Sequence, residues 1–154
     1  VGLMIDEQGD PYVVEFNVRF GDPECQVTLP LIESDVGELL YSAATDALSL
    51  TTWTFKNLHS LTVVLASEGY PQSAIKGRSI QGAEHALDTP ETWISHAGTV
   101  VNESGVLVSS GGRVLSVTSV AQSLQEARDL SYQRIQRISL EGSHHRTDIG
   151  HRAL

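Results

Sequence analysis

Cysteine is nearly missing from this sequence. Cys25 stands alone among 154 residues, which excludes an internal disulfide framework and a zinc site built from several thiolates. A lone thiol suits a reducing compartment, so the expected location is cytoplasmic. Basic residues are scarce as well: ten Lys and Arg stand against nineteen Asp and Glu, a net charge of −9 with His neutral. The clustered cationic stripe that a polyphosphate backbone needs is absent, and no nucleic acid is expected as a partner. A single basic residue in a site can still meet one phosphate group. Long apolar runs are lacking too, since stretches such as residues 63–66 fall far short of the roughly 20 residues that cross a bilayer, so no membrane partner is expected. The opening Val1-Gly2-Leu3-Met4-Ile5 has no initiator Met and no basic start or processing site of a signal peptide. It reads as a strand already under way, and a truncated chain is expected.

What remains is a 40% hydrophobic composition that fits one domain or two small lobes. Residues 3–5 and 12–20 are apolar, β-prone runs separated by Asp6-Glu7-Gln8-Gly9-Asp10-Pro11, and they predict a β-hairpin. Asp35 stands three residues before Glu38 as a carboxylate capping box. Val36, Leu39, Leu40, Ala43, Ala44 and Ala47 follow at helical spacing, predicting an amphipathic helix with one core face. Residues 49–60 show neither period and read as an irregular connection between two lobes. The second half changes character. Residues 61–66, Ile80, and residues 93–97, 99–101, 106–108 and 114–120 are short and rich in β-branched side chains, as antiparallel strands are. Asn102-Glu103-Ser104-Gly105 predicts a hairpin turn, and Gly111-Gly112 permits backbone angles that a side chain opposes. Ser123 and Glu126 form a second capping box, with Leu124, Ala127, Leu130, Ile135 and Ile138 as the stripe of the following helix. Residues 142–154 form a polar, basic tail.

The segment richest in chemistry is Val13-Val14-Glu15-Phe16-Asn17-Val18-Arg19-Phe20. On a strand its side chains alternate, placing Val14, Phe16, Val18 and Phe20 against a core and Glu15, Asn17 and Arg19 in a row on the other face. Carboxylate and amide oxygens are hard ligands that suit Mg²⁺, which completes its shell with water and substrate phosphates. The planar fork of Arg19 can bridge two phosphoryl oxygens and offset charge that develops as the group transfers. Alternation alone is equally satisfied by an ordinary half-buried strand with a solvated Glu15–Arg19 pair.

The run Val14-Glu15-Phe16-Asn17-Val18-Arg19-Phe20-Gly21-Asp22-Pro23-Glu24 resembles the signature of the phosphoribosylamine–glycine ligase (glycinamide ribonucleotide synthetase) family of ATP-grasp enzymes. Four further segments are similar to that family's C-terminal region in the same order. They are Leu61-Thr62-Val63-Val64-Leu65-Ala66-Ser67-Glu68-Gly69-Tyr70-Pro71, His96-Ala97-Gly98-Thr99, Gly111-Gly112-Arg113-Val114-Leu115 and Arg146-Thr147-Asp148-Ile149-Gly150-His151-Arg152-Ala153. The resemblance implies an α+β chain: the C-terminal edge of an ATP-grasp domain at residues 1–50, a connection at 51–60, and a small antiparallel sheet-and-helix domain at 61–154. It implies an enzyme of purine biosynthesis that joins glycine to 5-phosphoribosylamine with ATP through a glycyl phosphate. Glu15 and Asn17 match the family's ligands for Mg²⁺ or Mn²⁺, and Arg19 matches the catalytic arginine near the transferring phosphate. Gly21, Asp22, Pro23 and Glu24 match the loop after the metal strand, where substrate contact is implied and a purely structural turn is the alternative. The glycine-rich flap, the phosphate-binding lysine and the upstream acidic metal ligand have no counterpart here. Two ligands hold Mg²⁺ poorly without substrate phosphates, so the chain alone is expected to be inactive and to need the missing N-terminal portion as its partner.

The remaining candidates are weaker. His144, His145 and His151 fit no familiar metal spacing and read as part of a solvated tail. His96 reads as a hydrogen-bonded structural histidine, with substrate contact across a lobe interface as the alternative. Arg113, in a mostly apolar strand, predicts a buried ion pair. Cys25 has no local base and reads as packing. The competing function from another class is a noncatalytic interaction or regulatory lobe that retains an ATP-grasp-like strand.

Overall fold

The structure, a computed structural model, describes residues 1–48 and 52–154. Among the described residues it is α+β, with three small antiparallel sheets. β1 (Gly2–Ile5) and β2 (Pro11–Glu15) form the expected hairpin. Its turn is closed by the Asp6 carboxylate, which accepts from the backbone N–H groups of Gln8 and Asp10 at 2.9 Å, and by Gly9 at φ 91°. A short helix α1 (Glu24–Thr28), a 3-10 turn at Leu29–Leu31 and helix α2 (Val36–Ala44) follow.

Three features of this first third differ from the sequence expectation. β2 stops at Glu15, because that residue already stands opposite Gly2 and residues 16–20 have no ladder partner to continue it. The intended core face is also open: Val14, Phe16, Val18 and Phe20 are all exposed, Val18 by 95%. Hydrogen-bond pairing holds the two strands together, while among the described residues no second layer covers either side. In α2 the Asp35 cap is present, its carboxylate accepting from Glu38 N at 3.0 Å, but only Leu39 is buried and Leu40, Ala43 and Ala44 face solvent. Of the expected connection, residues 49–51 lie outside the described residues, and with them the boundary placed at residues 50 and 51. Residues 52–58 are irregular, with Trp53 stacked on Phe55 and one bridge from Ile32 to Phe55, and strand structure resumes at His59.

The second half follows the reading closely. β3 (His59–Ala66) and β4 (Thr92–His96) flank β7 (Arg113–Ala121) in an antiparallel sheet of order β3-β7-β4, while β5 (Thr99–Val101) and β6 (Leu107–Ser109) pair through the Asn102–Gly105 turn. Gly105 takes φ 77° and the Asn102 side chain accepts from Ser104 N and Val106 N, which locks that turn. β7 is central and covered on both faces, since Val114, Leu115, Val117, Thr118 and Ser119 are all within 1% of complete burial. Its β-branched run suits that double burial. α3 (Leu124–Ile135) packs on β3 and β7, and α1 with the turn after it lies against β3. Each fully buried Val or Leu contributes about 1.5–3 kcal/mol.

Several hydroxyls inside this core pair through strands or helix: Thr62 with Thr118 at 2.9 Å, Thr92 with Ser119 at 2.9 Å, and Ser131 of α3 with Ser119 at 2.9 Å and Leu61 O at 3.2 Å, while the buried Ser116 hydroxyl has no partner. Ser123 caps α3 as expected, accepting from Glu126 N at 3.2 Å. The helix ends at Ile135, so Ile138 joins the core edge from a following turn rather than from the helical stripe. Gly111 and Gly112 do not use left-handed angles. They are small because a Cβ at Gly112 would enter the Tyr70 ring, and one at Gly98 would come within 2.7 Å of Gly111 Cα. The tail is not loose. His144 bridges Ala66 through two backbone hydrogen bonds, Ile149 packs on the core, and Arg128 and Tyr132 of α3 hold residues 146–149.

Candidate functional site

The site grows from the end of β2. Between Gly2 and Leu3 the pairing slips by one residue, a bulge that interrupts alternation just before Glu15. Past it the backbone leaves the sheet, yet Glu15 and Asn17 still turn toward each other: Asn17 Nδ2 donates to Glu15 Oε1 at 2.9 Å. Arg19 lies on the same wall. Gly21 then allows Glu24 to fold back, because a Cβ there would collide with the Glu24 carboxylate, and Gly21 O accepts from Cys25 N as α1 begins.

Glu15, Asn17, Arg19, Gly21, Asp22 and Glu24 line one open cavity of about 670 Å³, together with Val1, Gly2, Phe20 and Arg113. Pro23 does not line it and instead stands at the N-terminus of α1. The crevice therefore gathers the three polar residues of the former strand even though the strand itself ends at Glu15. Three carboxylates and two guanidiniums meet there, and the two signs lie close enough to compensate partly.

Asp22 is the most firmly held of the acidic residues. Its Oδ1 accepts from Gln26 Nε2 at 3.0 Å, its Oδ2 from Arg113 Nη2 at 2.8 Å, and its backbone oxygen from Arg113 Nη1 at 3.0 Å. Arg113 thus makes an ion pair, but a half-exposed one in place of the buried pair expected. The link spans 91 residues of chain, which no local pattern could reveal. Gln26 was likewise missed, although its i,i+4 spacing from Asp22 across the start of a short helix was a usable signal.

A second ionic group went unread. Arg134 in α3 is buried to 5% exposure, donates to Gly82 O at 2.7 Å, and has Asp88 Oδ1 at 3.6 Å from its Nη2. Asp88 Oδ2 meets the exposed His85 ring at 2.8 Å. This group ties residues 82–88 to the helix and does not reach the cavity of Glu15. His96 keeps a local partner, Thr99 Oγ1 at 3.2 Å, and also lies off that cavity. Among the described residues no cluster of three or more His, Cys, Asp or Glu side chains is placed to hold a metal ion. No described helix is long and apolar enough to cross a membrane. At the tail, the hydrogen bond from Arg146 holds the Asp148 carboxyl below its ordinary range and in turn raises Arg146.

Known proteins supply the remaining comparison. The family described as "Phosphoribosylglycinamide synthetase, C domain" matches residues 60–152, more than half of the chain. A chloroplastic phosphoribosylamine–glycine ligase of Arabidopsis thaliana is 44% identical over 99% of this chain, and a phosphoribosylamine–glycine ligase of Leifsonia xyli is 46% identical over 99%. The chain spans 29% and 37% of the lengths of these two relatives. The crystal structure of phosphoribosylamine–glycine ligase from Thermotoga maritima superposes with a TM-score of 0.74 at 33% identity, over 96% of this chain and 35% of that one.

Proposed function

The chain belongs to the phosphoribosylglycinamide synthetase family as its C-terminal portion, and on that premise we propose that it forms one wall of an ATP-dependent ligase site joining glycine to 5-phosphoribosylamine. In this reading the glycine carboxylate takes the terminal phosphoryl group of ATP, giving glycyl phosphate and ADP. The amine then attacks the glycyl carbonyl, and phosphate leaves. The observation that carries the reading is the convergence of Glu15, Asn17, Arg19 and Asp22 on a single open cavity.

The donor set at Glu15 and Asn17 fits Mg²⁺ or Mn²⁺. Both side chains carry hard oxygens, Asn17 is held beside Glu15 through its amide nitrogen, and the missing ligands are those that substrate phosphates and water provide. When bound, such an ion neutralises charge on the phosphates. Glu15 and Asn17 hold it, and Arg19 sets a guanidinium beside the transferring group, where it offsets developing charge. The fixed carboxylate of Asp22 suits the ammonium of glycine. Glu24 and Gly21 shape the same wall, and Pro23 sets the entry to α1.

The exposed apolar strip of Leu3, Met4, Ile5, Val14, Phe16 and Val18 supports a second element of the proposal: this hairpin docks on the rest of the enzyme's polypeptide as the closing edge of an ATP-grasp domain. Residues 1–50 and 61–154 then act as two units joined by the connection between them. The lone cysteine is in keeping with a reducing compartment such as the cytoplasm; the Arabidopsis relative's name places that protein in a chloroplast.

The test is to join this chain to its ATP-binding portion and follow ADP release. Release that requires both glycine and phosphoribosylamine supports the ligase, with the 154-residue chain alone giving none. Glu15→Gln weakens the metal dependence and lowers turnover, and Arg19→Ala slows phosphoryl transfer with little effect on folding. Unchanged kinetics in both variants overturn the assignments. A noncatalytic lobe gives no substrate-dependent release in any form.

A further inference from the structure

The cavity of Glu15 receives one side chain from the second half of the chain, and that side chain touches a proposed substrate residue. Arg113 opens β7, and its backbone is fixed with little freedom. Gly98 N donates to Arg113 O at 3.0 Å, Ser67 N to Gly112 O at 2.9 Å, and Ser67 Oγ to Gly111 O at 2.9 Å. Gly98 and Gly111 approach so closely that a Cβ on either would crowd the other's Cα. From this anchored base the guanidinium reaches Asp22 at two points, the backbone oxygen and Oδ2. Its fork is spent on Asp22, and Gln26 holds the other carboxylate oxygen. A carboxylate gripped at both oxygens keeps one orientation and still has lone pairs to accept from a small cation.

We infer that Arg113 is a positioning residue, acting through Asp22, which aims that carboxylate at the ammonium of glycine and so lets the β3-β7-β4 sheet set the affinity for this substrate. The inference rests on the ligase reading above. Glycine is the substrate concerned because it carries an ammonium at neutral pH, whereas the attacking amine of phosphoribosylamine must be uncharged. Arg113 itself does not touch the reacting atoms.

The experiment uses the full-length enzyme that carries this segment, with steady-state kinetics for Arg113→Met, Arg113→Lys, Asp22→Asn and the Arg113→Met/Asp22→Asn double variant. Arg113→Met raises KM for glycine by on the order of tenfold, as loss of orientation at a binding group does. KM for ATP and the melting temperature stay at their wild-type values. Arg113→Lys, which can serve only one of the two oxygens at a time, recovers part of the loss. In the double variant, Arg113→Met adds nothing to Asp22→Asn, since both act on one contact. Additive losses overturn the inference, as does a rise in KM for phosphoribosylamine alone, which would make Arg113 a direct phosphate ligand. A lowered melting temperature with unchanged KM for glycine also overturns it and leaves Arg113 a structural tie. A wild-type enzyme that needs no glycine for ADP release sinks the ligase reading itself, whereas an active wild type with indifferent Arg113 variants sinks only the positioning role.

Discussion

The β1-β2 hairpin and the β3-β7-β4 sheet are built from similar β-prone sequence, yet one leaves nearly every apolar side chain in solvent and the other buries most of them and leaves none fully exposed. Both have antiparallel ladders, so backbone pairing does not distinguish them. The difference is a second layer. α3 covers β3 and β7, the tail closes over the edge at Ala66, and buried hydroxyls find partners across strands. The hairpin has only its ladder, and its polar residues turn toward an open cavity instead of a solvated outer face. The buried core therefore resides in the second half and the proposed site in the first, with Arg113 and Asp22 joining the two.

That contrast breaks most visibly at Asp88. Asp88→Ala leaves Arg134 buried beside Gly82 without its counter-charge, and chemical denaturation should show a loss of about 3–5 kcal/mol. A loss below 1 kcal/mol would mean that water already serves Arg134. Leu115→Ala comes next: a cavity opens at the centre of the sheet, costing about 2–5 kcal/mol, while Val18→Ala in the exposed segment changes the unfolding free energy from urea titration by less than about 0.5 kcal/mol. Comparable effects at the two positions would erase the division. Ser123→Ala removes the α3 cap and costs about 1 kcal/mol. Asp35→Ala loses an equivalent hydrogen bond, but α2 is so little buried that its loss registers as local helix fraying in hydrogen exchange more than as global unfolding.

The smallest effect concerns pH. The Asp148 carboxyl is depressed chiefly by the hydrogen bond from Arg146, so its contribution is present above the ordinary carboxylate range and fades as pH falls through the lowered folded value. Both groups are exposed. Acidification should loosen residues 146–149 locally, as seen in their amide exchange, with the sheet unaffected, and Asp148→Asn should abolish that response.

Much of the fold is legible in the sequence. The two capping boxes announced α2 and α3, and the β-branched runs announced the strands of the second half, because these signals operate within a few residues. The same logic failed at Phe16, Val18 and Phe20. Alternation there predicted a strand with a buried face, but a strand needs a neighbour, and β1 ends opposite Glu15. The candidate site was legible as a set of residues, six of which line one cavity, while its geometry was not. The bulge beside Gly2 and the hold of Arg113 on Asp22 depend on chain that is remote in sequence. Arg134 was invisible for the same reason: on a helix of low hydrophobicity a charged side chain ordinarily marks the solvent face, and only Asp88 and Gly82, brought in from the β3–β4 connection, make its burial tolerable.

The bare hairpin has a practical consequence for anyone handling this segment by itself. Met4, Tyr12, Val14 and Phe16 offer a sticky ribbon with unpaired amides along its rim, the arrangement that natural edge strands blunt with lysines or prolines to avoid clumping. Concentrating the purified segment should drive self-association through residues 2–20 while the second half stays folded, and a lysine at Val14 should restore monodispersity.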